Sequence, residues 1–456
     1  MKKILPLVLI FIGFISSLQA QWTSPGNGTT YTMSDLVAAA NGNVTNDGTE
    51  FTIRNDLTIS ANDVLVINDE VTKIDAPGVL ITIKGTIQST NTMRVPIYGT
   101  MDNPFSMRFE NATECELNKM YFSDGAGIQV IESQVAFIDC KFLYFTTGYC
   151  SAVVNFMNCN PRFQECIFMI NDGPAISSPA NGHGSPYIVN CTFDENVKEP
   201  NTNNPQVNLG PGGDDTIRII GNTFDGTFCQ ATVGGLSISD LIGTGATKVL
   251  LKDNIIKKHR YGYNQQGMTI SSVIKSNQFI DNNKETNPMN GGSGISIYGL
   301  SENCQAILRD NTITGNLWGI TAIYMNHIDL GTEDDWGHNA IYDNGNGGVI
   351  YDLYNNSSND ITAVGNNWGT TDEQEVEDHI YHQADDASLG LVTYIPYIGY
   401  ESVSEHEIGV DDLNASDVIL YSINGQRVGR ESLKPGAYIL VKGEGSNRIA
   451  KKIIIQ

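Results

Sequence analysis

Three basic side chains occur at matching points of a repeated pattern and have the chemistry to act together on an acidic sugar. Lys252, Lys275 and Arg309 each stand two residues before an asparagine of that pattern. A polysaccharide lyase neutralises a uronate carboxylate with a cation and removes the neighbouring proton with a base. We call these three residues the basic column. Asp253 adjoins Lys252 and Asp310 adjoins Arg309, so a solvated face of balanced charge is the alternative.

A short run after Lys252 adds candidate ligand-binding residues. Its cations would attract an anionic group, and its rings would stack on sugars. The candidates are His259, Arg260, Tyr261 and Tyr263, with Lys257 and Lys258 just before them.

A second candidate site combines Gly182-His183-Gly184 with Asp214-Asp215. It is similar to the Gly-His-Gly and Asp-Asp elements of polygalacturonase-like hydrolases, which implies carboxylates spaced for acid and base work on a glycosidic bond. In that family, however, the paired aspartates come first, and no Arg-x-Lys element follows here. We therefore expect a loop histidine among glycines.

Two acidic clusters offer oxygen atoms of the kind that Ca²⁺ binds. One consists of Glu333, Asp334 and Asp335, and the other of Asp372, Glu373, Glu375, Glu377 and Asp378. Neither has the spacing of an EF-hand or an aspartate-rich nonapeptide, so plain solvation is the alternative. No C-x-x-C pair occurs among the eight cysteines, so a zinc site is disfavoured. Ca²⁺ is therefore the one cofactor that we consider.

A repeat must position these side chains, and it begins with four cysteines that recur every 25 or 26 residues before asparagine continues the series. A large apolar residue stands two positions after each repeated residue, from Leu117 to Trp368, and another stands three positions before, from Phe137 to Trp336. Such a period marks stacked units. The repeated residues form the predicted ladder, namely Cys115, Cys140, Cys166, Cys191, Asn222, Asn254, Asn277, Asn311, Asn339 and Asn366.

Several rungs carry a second asparagine five positions later. Asparagine tolerates left-handed turns and hydrogen-bonds along a stack of its own kind. No rung has the helical period of a βαβ unit, and a single coil cannot bury its inner face alone. The repeat therefore predicts an all-β solenoid, a parallel β-helix. The second asparagines are Asn171, Asn196, Asn282, Asn316 and Asn344.

The four ladder cysteines have two interpretations. Cysteine is a small, readily buried residue that can take the place of asparagine in an inward stack, and we favour this interpretation. Neighbouring coils would also bring Cα atoms within disulfide range, so a pair such as Cys115 with Cys140 stays open. The other cysteines, Cys150, Cys159, Cys229 and Cys304, lie off the ladder.

Both ends of a solenoid need closure, because an open coil exposes strand edges and its apolar interior. Residues 32–40 predict a capping helix with Thr32 or Ser34 as N-cap, and residues 21–60 would form the cap and first coil. The solenoid would occupy residues 61–400. Near its end we expect a helical segment at 372–381 and a last strand at 391–398.

The chain begins like an exported protein. Residues 1–20 show the basic start, apolar run and small-residue exit of a signal peptide, and no later stretch reaches the ~18 apolar residues of a membrane span.

The net charge is −24, and residues 405–456 hold seven charges of each sign, so the acidity lies upstream. Such a field repels nucleic acid, which we exclude as a partner.

The rungs and the Asn366-Asn367-Trp368-Gly369 finish resemble the pectate-lyase-like superfamily of right-handed parallel β-helices over roughly residues 30–400. The resemblance implies a right-handed solenoid. It says little about activity, because that fold carries lyases, hydrolases, epimerases and adhesins.

The tail resembles the C-terminal sorting domain of type IX secretion in Bacteroidetes. The resemblance rests on three blocks, at residues 418–428, 433–439 and 451–455, with a linker at 401–412 and the domain at 413–456. Their pattern predicts three short strands of a small β-sandwich with Asn424-Gly425 and Pro435-Gly436 turns. The resemblance implies the type IX machinery as partner and attachment at the outer cell surface.

Three functions are consistent with these observations. A surface-anchored protein that binds carbohydrate or acts as a structural or adhesive element is favoured, because no complete catalytic set is evident. A polysaccharide lyase that uses the basic column is the alternative. A glycoside hydrolase near His183 ranks third and needs two carboxylates about 5–10 Å apart.

Overall fold

The computed structural model describes residues 21–199, 203–243, 245–287, 290–400, 418–422, 426–442 and 449–455. The chain divides into two compact units, Met1–Ile398 and Gly399–Gln456. Residues 1–20 and 401–412, where we expected a signal peptide and a linker, lie outside the described residues. None of the helices in the described part of the chain has the length and hydropathy needed to cross a membrane.

The first unit is a parallel β-helix with three faces, which confirms the predicted fold class. Along most of the unit each coil contributes a strand to each face in turn, and the strands of a face pair in parallel from coil to coil. Val44–Asp47 differs, because it pairs antiparallel with Glu50–Ile53. The long strands Ser293–Arg309 and Trp318–Asp329 bend from the first face to the second.

The other strands of the first face are Trp22–Thr23, Leu57–Ile59, Leu80–Ile83, Phe105–Glu110, Gly125–Ile131, Val154–Met157, Ile176–Ser177, Pro205–Leu209, Gly234–Asp240, Tyr263–Gly267, Leu353–Asn356 and Ile380–Tyr381. Those of the second face are Thr30–Thr32, Val64–Ile67, Thr86–Ser89, Cys115–Asn118, Val135–Ile138, Arg162–Gln164, Tyr187–Val189, Thr216–Ile220, Thr247–Lys252, Ile270–Lys275, Ile361–Thr362 and Val392–Thr393. The third face consists of Val44–Asp47, Glu50–Ile53, Lys73–Asp75, Val95–Tyr98, Met120–Ser123, Lys141–Leu143, Ile167–Met169, Thr192–Asp194, Thr223–Asp225, Ile255–Lys257, Gln278–Ile280, Thr312–Thr314 and Ala340–Tyr342. A two-stranded hairpin, Gly345–Asn346 with Val349–Ile350, lies outside the three faces.

The core is a stack of apolar side chains along the solenoid axis. Strand residues alternate between buried and half-exposed, because successive side chains point to opposite sides of a sheet. On the third face the rings of Phe142 and Phe168 stack at 4.4 Å, and those of Phe193 and Phe224 at 4.6 Å. These are the residues two positions after the ladder, so that part of the pattern is confirmed.

The six ladder asparagines form one buried chain of hydrogen bonds. The Nδ2 of Asn254 donates to Oδ1 of Asn277 at 2.9 Å, and Asn277 donates in the same way to Asn311 at 3.0 Å. Each backbone N–H also donates to the next Oδ1, as from Asn254 to Asn277 at 2.9 Å. The chain of bonds runs from Asn222 to Asn366, so each inner amide is satisfied by its neighbours.

Cys115 was wrongly placed on the ladder. It pairs with Val135 on the second face, and Leu117 pairs with Phe137. On the third face Tyr121 pairs with Lys141, which puts Met120 opposite Cys140. Met120 therefore occupies the ladder position of this coil. Because methionine is apolar, it cannot be recognised there from the sequence, and the regular spacing of the cysteines suggested Cys115 instead.

Trp336 was also wrongly placed, since its side chain is 37% exposed. Leu330 takes the inward position: its carbonyl accepts from Asn366 at 2.9 Å, as the Leu308 carbonyl accepts from Asn339 one coil earlier. The acidic segment 331–336 is an insertion between that strand and the ladder.

A second buried polar chain follows the asparagines at the +5 position. Asn282 donates to Asn316 at 2.9 Å, and Asn316 donates to Asn344 at 2.8 Å. Where a rung lacks asparagine, other polar side chains continue the chain, and it ends at a carboxylate that lies 3.2 Å from His379 Nδ1. The members in order are Asn171, Asn196, Gln206, His259, Asn282, Asn316, Asn344 and Asp352.

All eight cysteines are free thiols, so the disulfide alternative is not realised in this structure. The Cys140 thiol donates to the Leu117 carbonyl at 3.2 Å, and the Cys166 thiol to the Phe137 carbonyl at 3.3 Å. Burial raises the pKa of Cys140 well above its ordinary value. A buried thiol of this kind is protonated and unreactive.

Helix α1 (Met33–Ala39) closes the start of the solenoid, as predicted. Thr32 is its N-cap, and a capping box with Asp35 satisfies two backbone N–H groups at the start of the helix. Near the other end, helix α2 (Glu373–Asp378) is N-capped by Asp372. The last strand of the solenoid, Val392–Thr393, is shorter than the predicted 391–398.

The described part of the second unit is one antiparallel sheet instead of a sandwich of two. Its strands are Val418–Ser422, Arg427–Val428, Gly436–Lys442 and Ile449–Ile455, with a short 3₁₀ turn at Arg430–Ser432. Val418, Leu420 and Leu440 form its small core. The predicted Asn424-Gly425 turn lies outside the described residues.

Candidate functional site

A groove of about 630 Å³ runs over the outer surface of the first face. We call it the first-face groove. Six consecutive strands line it, from Pro205–Leu209 to Leu353–Asn356, together with three flanking loop segments. Its lining residues are Asn203, Pro205, Asn208, Ser237, Arg260, Tyr261, Asn264, Gln266, Asn290, Gly291, Ser293, Ser296, Tyr298, Trp318, Thr321, Ile323, Tyr354 and Asn356.

A column of outward side chains forms the floor of this groove. Strand pairing puts its members in register, one per coil, and parallel strands lie about 4.7–4.9 Å apart. All but the last are short hydroxyl or amide side chains, and Asn264 donates to Ser237 Oγ at 3.1 Å. The column consists of Asn208, Ser237, Asn264, Ser296, Thr321 and Tyr354.

Aromatic rings form one end of the groove. The Trp318 indole lies 4.5 Å from the Tyr351 ring and 5.0 Å from the Tyr354 ring, measured between centroids. Tyr354 stacks on Tyr381 of the next coil at 4.7 Å with planes only 6° apart. Trp318, Tyr354 and Tyr381 are half-exposed, so these rings offer flat apolar surface to a ligand.

Arg260 and Tyr261 form the rim near the other end. The Tyr261 ring lies directly over Gly234, where a Cβ would be only 2.2 Å from the ring. The Arg260 Nε donates to the Asn290 carbonyl at 2.5 Å, and the guanidinium also donates to Asn203 Oδ1. The cation therefore fixes two loops at the rim.

The groove is almost free of charge and of acid–base groups. Arg260 is the only ionic side chain among its described lining residues, which include no Asp, Glu, His or Lys. Burial raises the pKa of Tyr261 to about 12, and burial with neighbouring negative charge raises that of Tyr354. A general base works best with a pKa near the operating pH, so neither tyrosine is tuned for proton abstraction.

The predicted binding residues His259 and Tyr263 are wrong, because both side chains are fully buried. His259 Nε2 lies 2.8 Å from Gln206 Nε2 in the second polar chain, and burial lowers its pKa to about 3. The Tyr263 hydroxyl donates to Gln265 inside the solenoid at 3.2 Å. Arg260 and Tyr261, from the same run, do line the groove.

The basic column lies on the second face, away from the groove. Lys252, Lys275 and Arg309 are in register on three consecutive coils, as expected from their spacing. Each cation has an acidic partner: Lys252 with Asp253 at 3.3 Å and Lys275 with Asp310 at 3.4 Å. Both aspartates occupy left-handed turn positions beside the column.

Arg309 is held most tightly of the three. Its guanidinium lies 2.8 Å from carboxylates of both Asp329 and Asp335, and its side chain is only 10% exposed. These two acids raise the arginine pKa against the opposing effect of burial. With all three cations paired, the lyase hypothesis loses the observation on which it was based.

The cleft at His183 lacks the pair of carboxylates that a hydrolase needs. His183 and Asp214 both line a cleft of about 740 Å³, but Asp214 is the one carboxylate among its described lining residues. Asp215 is paired with Arg218 at 3.0 Å. Glycosidases need two carboxyl groups on opposite sides of the bond.

The acidic clusters do not form a cation site in the described residues. Glu333 and Asp334 are exposed, and Asp335 is engaged by Arg309. In the second cluster Asp372 is the N-cap of helix α2, and Glu373, Glu375 and Asp378 are exposed. Glu377 is half-buried and lies 3.0 Å from His382 Nε2. No group of three or more potential ligands is arranged around a common point among the described residues.

Sequence reasoning missed the aromatic end and the floor of the groove. Trp318 stands immediately before the Gly319-Ile320 pair that marks a rung, which was the available signal. The floor residues are ordinary serines, threonines and asparagines, and only the register of the coils brings them into one line.

Comparison with known proteins finds a family model that matches part of the chain and several solved structures that have a similar fold. Residues 246–374 match the model of DUF1565, described as a protein of unknown function, and this segment includes Trp318 and Tyr354. No significant match was found among curated proteins.

Among solved structures, the chain is similar to a single-site mutant of the periplasmic alginate epimerase AlgG, with 11% identity, 81% of this chain and 83% of that chain covered, and a TM-score of 0.49. It is also similar to a mannuronic acid specific polysaccharide family 6 lyase from human gut microbiota, with 12% identity, coverage of 84% and 89%, and a TM-score of 0.32. A tailspike protein gp49 from Acinetobacter baumannii bacteriophage Fri1, a capsular polysaccharide depolymerase, gives 9% identity, coverage of 96% and 78%, and a TM-score of 0.27. At these identities the likenesses concern the fold alone.

Proposed function

We propose that this protein is exported, held at the outer cell surface, and binds carbohydrate in the first-face groove. The observation that carries the proposal is the half-exposed Trp318, packed on Tyr354 at the end of an in-register polar column. Flat aromatic surface suits the apolar face of a sugar ring. Amide and hydroxyl side chains suit sugar hydroxyls, because both can donate and accept hydrogen bonds.

Binding is favoured over turnover by the chemistry of the lining. A lyase needs a base near the bound sugar, and a hydrolase needs two carboxylates. The described lining of the groove contains no carboxylate, histidine or lysine, and the raised pKa values of Tyr261 and Tyr354 make these two tyrosines poor bases. The basic column is ion-paired on another face.

Export and anchoring are supported by the two ends of the sequence. Residues 1–20 have the pattern of a signal peptide, and the tail resembles a type IX sorting domain. The test is the intact mass of protein recovered from the surface of cells that express the full chain. Loss of residues 1–20 and of the tail is expected, whereas an intact tail on cytoplasmic protein would contradict the proposal.

Carbohydrate binding is tested with the purified protein on a glycan array, followed by calorimetry on the best ligand. Trp318→Ala should abolish or weaken binding at least tenfold. Trp336→Ala is the matched control, because Trp336 is exposed outside the groove. Equal binding by both variants, with thermal unfolding unchanged, would show that the groove is not the site.

A further inference from the structure

The first-face groove has a composition that selects the charge of its ligand. Resting on the proposed carbohydrate-binding function, we propose that the ligand is an uncharged polysaccharide that lies along the solenoid axis with about one sugar residue per coil.

The first reason is the absence of a cation for an acidic sugar. Arg260 is the only cation among the described lining residues, and its guanidinium already donates to Asn290 and Asn203. It also lies 5.8 Å from the centroid of the Tyr261 ring. A uronate or sulfate on the groove floor would lose water without gaining a counter-charge, which is costly.

The second reason is the field around the groove. The chain carries a net charge of −24. Burial is the main cause that raises the pKa of Tyr354, followed by Tyr381 and Tyr351. The negative charges of Asp386 and Asp385 add to it, so acidic side chains lie near the aromatic end of the groove. Field of this sign lowers the local concentration of a polyanion and leaves an uncharged chain unaffected.

The third reason is spacing. The floor column repeats at the 4.7–4.9 Å separation of parallel strands, which is close to the length of one pyranose unit. Each coil therefore meets a linear glycan with one hydroxyl or amide group. The stacked Tyr354 and Tyr381, with Trp318 beside them, add a flat platform at one end.

The experiment compares neutral and acidic oligosaccharides of matched length on the full mature protein. Cello-, xylo- and manno-oligosaccharides serve as neutral probes, and oligomers of alginate and polygalacturonate serve as acidic ones. Calorimetry at low and at high salt should give at least tenfold tighter binding of a neutral series. Affinity for that series should be insensitive to salt and should rise with length up to about six sugars, the number of coils in the column.

A gain-of-function variant strengthens the test. Asn356 is exposed on the groove rim, so Asn356→Lys adds a cation without filling the floor. We expect this variant to gain affinity for acidic oligomers at low salt and to lose that gain at high salt, because the added attraction is electrostatic.

The outcomes separate the two proposals. Acidic oligomers that bind the native protein more tightly, and lose binding in Trp318→Ala, would overturn the neutral ligand and retain the groove. Neutral oligomers whose affinity does not change beyond two sugars would overturn the alignment along the axis. Failure of every oligosaccharide, neutral and acidic, to bind would overturn carbohydrate binding itself.

Discussion

The Trp318 indole meets the Tyr354 ring edge to face, with centroids 5.0 Å apart and planes at 74°. The two residues lie on consecutive coils of the first face, and Thr321 pairs with Tyr354 across them. Each ring holds the other in place, so the platform is already formed before a ligand arrives.

This mutual support predicts non-additive effects on binding. Trp318→Ala and Tyr354→Ala should each raise the Kd for the best glycan at least tenfold, a loss of about 1.4 kcal/mol or more. The double variant should lose less than the sum, because either single change already disorganises the platform. Calorimetry on all three variants measures the coupling, and strict additivity would mean that the rings act independently.

The asparagine ladder predicts a large stability loss at a single amide. Asn277→Ala removes the acceptor used by Asn254 and the donor used on Asn311, and it leaves buried polar groups unpaired. The expected loss is about 2–4 kcal/mol, since each unsatisfied buried group costs about 1–3 kcal/mol.

Thermal and urea unfolding measure this loss, with Asn303→Ala as the control because Asn303 is exposed. A ladder variant as stable as the control would show that the amide chain contributes little to the fold.

The buried His259 predicts acid sensitivity. Its pKa is lowered to about 3 in the folded protein, while an unfolded histidine titrates near 6.5. Below pH 6.5 the unfolded chain takes up a proton that the folded chain refuses, so the stability present above pH 6.5 is lost as the pH falls. The expected slope is about 1.4 kcal/mol per pH unit between those two values.

His259→Gln should flatten this slope when unfolding is followed from pH 7 to pH 4. His327→Gln is the control, because the His327 side chain is 55% exposed. If both variants keep the slope of the native protein, His259 is not its source.

The ion-paired basic column predicts no role in turnover. Lys275→Ala should bind the glycan with an affinity within twofold of that of the native protein, because Lys275 lies on the second face and is paired with Asp310. Neither the native protein nor the variant should generate the ultraviolet absorbance of an unsaturated uronate from acidic polysaccharide. A signal from the native protein that Lys275→Ala removes would restore the lyase alternative.

The sequence by itself determined the fold of the solenoid. Inward apolar residues alternate with outward polar ones, and asparagines such as Asn277 recur at a turn that every coil repeats. Both signals are local or concern adjacent coils, so they can be read from the spacing. They were insufficient where Met120 replaced a polar ladder residue and where the 331–336 insertion displaced Trp336 from the expected register.

Only the tertiary structure decided the candidate site. Ser296 and Thr321 are unremarkable in sequence, and they become one groove floor because register depends on the lengths of all the intervening turns. The direction of a side chain was decided in the same way, since Tyr261 reached the groove whereas Tyr263, two residues later, was buried. Arg309 donates to Asp335, which lies 26 residues later in the chain. This pairing arises from the tertiary fold, because no pattern of neighbouring residues encodes it.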